Sequence, residues 1–262
     1  MPKIAVRDIE VNYQDEGTGF PLILVHGLNG DLTGWALVVP EFAKHYRTLA
    51  LDVRGHGGTS KPDQPYSIQG FSEDLFEFLN KKQLPKVHLL GLSMGGAIAQ
   101  QFALDHPGMI RSLILVSTFS YIDDHARRAL EGLKKCLAQG GYPTFFDEIL
   151  KLAFTPKFIA ANPGPIAELR EKRIQVNSPV AIGRATEACM AFDLKDQISK
   201  ITLPTLVVSG REDVFTPVHL AEQIHRSIGG SEWKILEGVG HALYIEKAPA
   251  LSQTVLEFLK RQ

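Results

Sequence analysis

Short unbroken apolar runs alternate along the chain with stretches whose apolar residues recur every three or four positions. The runs read "PLILVHG", "YRTLALDVRG", "KVHLLGLS", "RSLILVST", "PTLVVSG" and, less purely, "EWKILEGVG". Each has about the length of a strand, is rich in Val, Ile and Leu, and closes on Gly or a small residue. A strand with one wet face would alternate, so unbroken runs predict strands covered on both faces, as in a parallel sheet. The opening segment "IAVRDIEVNYQDEG" does alternate. It predicts a hairpin of two short strands, with Val11 and Tyr13 on one face, ending at Gly17 and Gly19.

The helical stretches lie between the runs. "IQGFSEDLFEFLNKKQ" puts Phe71, Leu75, Phe78 and Leu79 on one stripe, and "MGGAIAQQFALDHP" does the same with Ile98, Phe102 and Ala103 before Pro107 stops it. "PVHLAEQIHRSI" and "APALSQTVLEFLKRQ" repeat the pattern. Strand and helix in alternation predict an α/β doubly wound fold with right-handed crossovers. From Tyr121 to about Lys195 the rhythm breaks: four helical segments, separated by Gly and Pro, follow without a strand. The economical reading is a helical cap over 121–195, inserted into a core formed by 1–120 and 196–262.

Composition changes this picture little. The 262 residues are 44% hydrophobic and 22% charged, with a formal net charge of −1. Such a balance supplies no field for nucleic acid or anionic lipid. No run approaches the roughly 18 apolar residues of a membrane span, and the N-terminus lacks the pattern of a secretory signal. A cytoplasmic protein acting on a small molecule, without a nucleic-acid or membrane partner, is the expectation. Cys136 and Cys189 have no CxxC spacing and read as reduced, mostly buried thiols.

The chemistry concentrates at "GLSMG", Gly91 to Gly95. A strand that turns directly into a helix forces the turning residue into a strained backbone conformation. Side chains two positions to either side would collide, so glycine is needed there. Ser93 is lifted clear, above exposed N–H groups of the helix N-terminus. Strand before and helix after are the context this G-x-S-x-G turn demands.

A serine hydroxyl needs a base, and the base an orienting acid. After "PTLVVSG" the chain reads "REDVFTP", where Asp213 is the candidate acid and Glu212 its competitor; after "EWKILEGVG" comes His241, the candidate base. Ser93, Asp213 and His241 then leave three strands on one edge of the predicted sheet, in the order expected for this turn. His26 and His56 are expected to brace their loops. The backbone N–H groups of Met94 and Leu28 are the candidate oxyanion donors, with Gly27 allowing close approach. Trp35, Leu28, Met94, Phe145, Phe146 and Phe154 are candidates for the pocket lining, and Arg170, Lys172, Arg173 and Arg184 for binding a substrate carboxylate, though charged helical faces are usually just solvated. No dinucleotide, P-loop or metal motif occurs, so no cofactor and no metal are expected.

"HGLNGDLTGW", "LDVRGHGGTSKP", "HLLGLSMGGAIAQQFALDHP", "VSGREDVFTP" and "GVGHALYIEKAP" together resemble the α/β-hydrolase superfamily, in order and over nearly the whole chain. Within it the chain is most similar to the group of 3-oxoadipate enol-lactonases and small carboxylesterases. The resemblance implies a mostly parallel eight-stranded sheet, a helical cap after strand six, and acid and base at Asp213 and His241. It implies a serine hydrolase of carboxylic esters or lactones of small acyl groups. An enol-lactonase or carbon–carbon bond hydrolase of aromatic degradation is the alternative, and a non-catalytic ligand receptor on the same fold is the alternative from another class.

Overall fold

The six unbroken runs become six parallel strands in the computed structural model, which describes residues 1–262: β3 (Pro21–Val25), β4 (Arg47–Leu51), β5 (Val87–Leu92), β6 (Ile110–Val116), β7 (Thr205–Gly210) and β8 (Glu232–Leu236). The alternating opening segment forms β1 (Lys3–Val6) and β2 (Ile9–Glu16), antiparallel to each other, and β2 joins β4 antiparallel. The eight-stranded sheet has the order β1-β2-β4-β3-β5-β6-β7-β8.

Both faces of the central strands are covered, which is why the runs do not alternate. On β3, Leu22 and Leu24 point into one layer with Leu90, Ile114 and Val208, while Ile23 and Val25 point into the other with Leu49, Leu89 and Val207. The first layer is closed by α1 (Val39–Phe42) and α10 (Ala248–Leu259). The second is closed by α2 (Ile68–Lys81), α3 (Met94–Asp105) and α8 (Val218–Ser227). Phe71, Leu75 and Phe78 of α2 and Phe102 of α3 are fully or nearly fully buried. Each such side chain contributes about 1.5–3 kcal/mol through burial. Ser67 caps α2 by accepting from Gly70 N at 2.9 Å, and α3 ends at His106, just before Pro107.

Between β6 and β7 lie four cap helices: α4 (Asp124–Ala153), α5 (Pro156–Ala161), α6 (Pro163–Val176) and α7 (Pro179–Met190). Asp123 caps α4 by accepting from Ala126 N. The two helical segments expected around Gly140 and Gly141 are both present: α4 consists of two helices that meet at a kink, where Gly141 is non-helical with a φ of 69° and Pro143 follows. Helix α5 has no counterpart in the sequence reading. It is set by Thr155, whose side chain accepts from Phe158 N, and by Pro156 at the first helical position. Phe145, Leu150 and Ile182 of the cap belong to the same apolar core as Ile23 of the sheet. The cap is thus packed down on the sheet edge rather than carrying a core of its own.

The strand order places a crevice. From β3 the chain moves to β4 on one side, then crosses back to β5 on the other. The loops leaving the carboxyl ends of β3 and β5 therefore diverge, and in open α/β sheets ligands bind at such a switch point.

Candidate active site

Ser93 follows β5 directly and is the N-cap of α3, with φ 55° and ψ −119°. A non-glycine residue held there stores on the order of 1–3 kcal/mol of strain. The glycines around it answer to close packing. A Cβ on Gly91 would lie 2.2 Å from the carbonyl oxygen of Gly95, and one on Gly95 would lie 2.2 Å from that of Val25. The turn is held from outside: Ser93 N donates to Val116 O at 2.9 Å and Thr118 Oγ1 donates to Ser93 O at 2.6 Å.

Asp213 and His241 come from the loops after β7 and β8. The Nδ1–H of His241 donates to Asp213 Oδ2 at 2.9 Å. Asp213 Oδ1 accepts from the backbone N–H groups of Phe215 (2.9 Å) and Thr216 (2.8 Å). Thr216 Oγ1 donates to Asp213 Oδ2 at 2.8 Å and lies 3.0 Å from His241 Nδ1. Asp213 is buried, whereas Glu212 is exposed. Both hydrogen bonds of His241 use Nδ1, so its Nε2 is left for the cavity that Ser93 and His241 line together. Ser93 Oγ and His241 are not directly hydrogen-bonded; they meet only as walls of the same cavity.

The loop after β3 runs beside the serine. A Cβ on Gly27 would lie 3.0 Å from Ser93 Cβ. No acceptor within the protein takes the N–H of Leu28, and Met94, the first residue of α3, has no intrahelical partner for its own. His26 is buried and spent on structure: its Nε2 accepts from Val53 N at 3.0 Å and its Nδ1–H donates to Gly27 O at 2.8 Å. Burial pushes His26 down to about 4 and His56, whose ring centroid is 5.2 Å away, down to about 3. Both rings are neutral near pH 7, and His56 binds Arg54 O through Nδ1.

The cavity above these groups has a volume of about 640 Å³ and is mainly apolar. Leu28, Phe146, Ile149, Leu150, Phe154 and Ile245 contribute to its wall. Three expected lining residues, Trp35, Phe145 and Met94, do not reach it. Trp35 lies beneath the sheet edge in the layer closed by α10, against Tyr244 at 5.2 Å, and Phe145 is fully buried on the inner face of α4. Phe145 and Phe146 are adjacent on one helix and so point in different directions, and only Phe146 faces the space. The Met94 side chain is likewise buried in the core. Among the basic candidates, Arg170 is engaged bidentately by Asp147 at 2.5 and 3.0 Å, and Arg184 sits 3.5 Å from Asp63. Lys172 and Arg173 both stand at the cavity wall, and Arg173 is buried there in an ion pair with Asp31. Burial pushes the Asp31 carboxyl up, but the Arg173 guanidinium and the Thr33 hydrogen bonds outweigh it and hold Asp31 below the usual carboxylate range.

Thr216 and the Asp31–Arg173 pair are absent from the sequence reading. The first had a local signal: an Asp that accepts from the N–H groups two and three residues on forms an Asx-type turn, which brings the side chain at the third position beside the carboxylate. The second had none, because Asp31 and Arg173 lie 142 positions apart in the chain.

A family model described as "alpha/beta hydrolase fold" matches residues 21–248. The chain belongs to the alpha/beta hydrolase family. It is 26% identical over 260 residues to "3-oxoadipate enol-lactonase 2" of Acinetobacter baylyi, covering 98% of this chain and 96% of that protein. Among solved structures it resembles an enol-lactonase from Burkholderia xenovorans with a TM-score of 0.93 at 27% identity, over 99% of this chain and 100% of the other. It also resembles a thermophilic esterase from Thermogutta terrifontis with a TM-score of 0.89 at 26% identity, covering 99% of this chain and 98% of the other. The expected resemblance to the alpha/beta hydrolases, with enol-lactonases and esterases among the relatives, agrees with these findings. No helix is long and apolar enough to cross a membrane.

Proposed function

We propose that this chain is a serine hydrolase of carboxylic esters or lactones with small, largely apolar acyl groups. The observation that carries the reading is the buried Asp213–His241 pair, at 2.9 Å, opening with strained Ser93 into one apolar cavity. His241 Nε2 takes the proton of Ser93 as Oγ attacks the carbonyl carbon, and the carbonyl oxygen becomes an oxyanion held by the N–H groups of Leu28 and Met94. Collapse of this intermediate breaks the ester C–O bond, and the proton on Nε2 goes to the leaving oxygen. For a lactone that oxygen remains tethered to the acyl group. Water, deprotonated by the same Nε2, then attacks the acyl-enzyme, and the proton returns to Ser93 as the acid leaves. Asp213 keeps the proton on Nδ1 and stabilises the imidazolium. The likeness to enol-lactonases and an esterase supports the substrate class.

The test pairs a covalent probe with turnover. A fluorophosphonate is expected to label the protein at Ser93, p-nitrophenyl butyrate and small lactones to be hydrolysed, and Ser93→Ala to abolish both. Labelling with no turnover across a graded panel of esters and lactones would favour the ligand-receptor alternative. Full esterase activity in Ser93→Ala would end the proposal.

A further inference from the structure

The loop that carries Leu28 is gripped from two sides. From the sheet, His26 holds Gly27 O, and Asp52 Oδ1 accepts from Leu32 N at 2.6 Å. From the cap, polar side chains reach two residues of this loop, Asn29 and Asp31. Asn29, buried and at a left-handed φ of 64°, accepts through Oδ1 from the hydroxyl of Tyr142 and from Asn177 Nδ2 at 3.3 Å. Asn177 Nδ2 also donates to Tyr142 Oη at 2.8 Å. Two residues on, Asp31 pairs with Arg173, each side chain about 5% exposed.

A buried ion pair gives little net stability, because desolvation of both charges offsets their attraction, and apolar side chains of similar size would hold the interface as well. What such a pair does supply is register. Here the register is that of residues 29 and 31, the immediate continuation of the Gly27–Leu28 peptide beside Ser93. Tyr142, next to the α4 kink, and Asn177, just past the end of α6, converge on the Oδ1 of Asn29, and Asn177 Nδ2 also lies 3.5 Å from the Asn29 backbone oxygen.

We propose that Tyr142, Arg173 and Asn177 of the cap are positioning residues for the oxyanion loop: through Asn29 and Asp31 they hold the Leu28 N–H where it meets the developing oxyanion, so that turnover requires a seated cap. This rests on the serine-hydrolase reading above. It makes the cap part of the catalytic scaffold as well as the roof of the cavity. None of the three residues touches the reacting atoms; each acts through the loop.

Two variants of the full chain test it. Tyr142→Phe removes only the hydroxyl and keeps the ring beside Phe145 and Phe146. Asp31→Asn combined with Arg173→Met removes the ion pair without stranding a charge and keeps a side-chain oxygen at position 31 to accept from Thr33 N. With p-nitrophenyl butyrate, kcat is expected to fall about fivefold to tenfold in the first variant, as for loss of one buried hydrogen bond. In the second it should fall further, bounded by the roughly 10²–10³ of losing an oxyanion donor outright. KM should stay within about twofold. An alkyl trifluoromethyl ketone, whose adduct with Ser93 places an oxyanion at that donor, should lose affinity in step with kcat, while the product carboxylate binds as before. Wild-type kcat and ketone affinity alongside a lowered melting temperature would overturn the proposal and leave these contacts as ordinary cap anchors. Failure of the wild-type protein to react with fluorophosphonate at Ser93 would instead bring down the hydrolase reading, and this proposal with it.

Discussion

Asp213→Asn turns the geometry of the acid into a number. The carboxylate is approached from two directions: Oδ1 accepts from Phe215 N and Thr216 N, and Oδ2 accepts from Thr216 Oγ1 and His241 Nδ1. An asparagine has one accepting and one donating end, so it has two placements. With its amide nitrogen at the Oδ1 position it faces two backbone N–H groups, and both are left unpaired inside a buried loop. At about 1–3 kcal/mol for each such group, that placement is worse by roughly 2–6 kcal/mol. With the nitrogen at the Oδ2 position it faces Thr216 Oγ1 and His241 Nδ1, which can both accept. The second placement wins, and it strips the proton from Nδ1 and puts it on Nε2, the nitrogen that takes the proton of Ser93 in the proposed mechanism. The base is disabled while the fold is kept. We expect kcat for p-nitrophenyl butyrate to fall by about 10³–10⁴, the scale of a wrong tautomer in a Ser-His-Asp triad, with a melting temperature close to wild type. The ¹⁵N shifts of His241 read the tautomer directly. Turnover within about tenfold of wild type, or a His241 still protonated on Nδ1, would refute the reasoning.

Gly95→Ala would drive a Cβ to 2.2 Å from Val25 O and 2.6 Å from His26 O, so β3 and α3 must separate; urea titration should show a loss of about 3 kcal/mol or more, and an unchanged midpoint would count against the packing described here. His26 and His56 are held well below the ordinary histidine value of 6.5 by burial, so the unfolded chain takes up more protons than the folded one as pH drops below 6.5. Their contribution is therefore complete well above pH 6.5 and lost on acidification, by about 3 kcal/mol for the pair between pH 7.5 and 5.5; chemical denaturation at pH 7.5 and 5.5 measures it, and a flat profile in which His26→Gln changes nothing would contradict it. Glu246 accepts from Thr155 N and Thr155 Oγ1 at 3.1 and 2.7 Å, tying the α4–α5 junction of the cap to α9 (Leu243–Glu246), which follows the His241 loop. Glu246→Ala should cost about 1–3 kcal/mol and speed proteolysis at that junction, with Glu246→Gln restoring most of the loss; equal protease resistance in all three proteins would remove the clasp.

Much of the fold was legible in the sequence because its signals are local. Strands buried on both faces cannot alternate, so the six apolar runs announced themselves, and Pro107 marked the end of a helix. The break within α4 was legible because Gly140 and Gly141 interrupt the helical pattern, whereas helix α5 escaped because six residues are too few for a periodicity. At the site, Ser93 was legible because the glycines around it report a collision any side chain would cause. Trp35 and Phe145 were misplaced because apolar character marks burial without saying on which side of an element the ring falls.

The sequence by itself determined the strand–helix alternation, the strained serine turn, and the order of Ser93, Asp213 and His241 along the chain, since each depends on residues close together in sequence. Only the tertiary structure decided that Thr216 braces both Asp213 and His241, that Phe146 rather than Phe145 walls the cavity, and that Asn29 and Asp31 are held by Tyr142, Asn177 and Arg173. Those contacts bridge loops and helices whose separation along the chain carries no periodic trace. They exist because the crossover at β3 and the folding of the cap onto the sheet edge bring distant polar groups into one buried place, where each must find a partner.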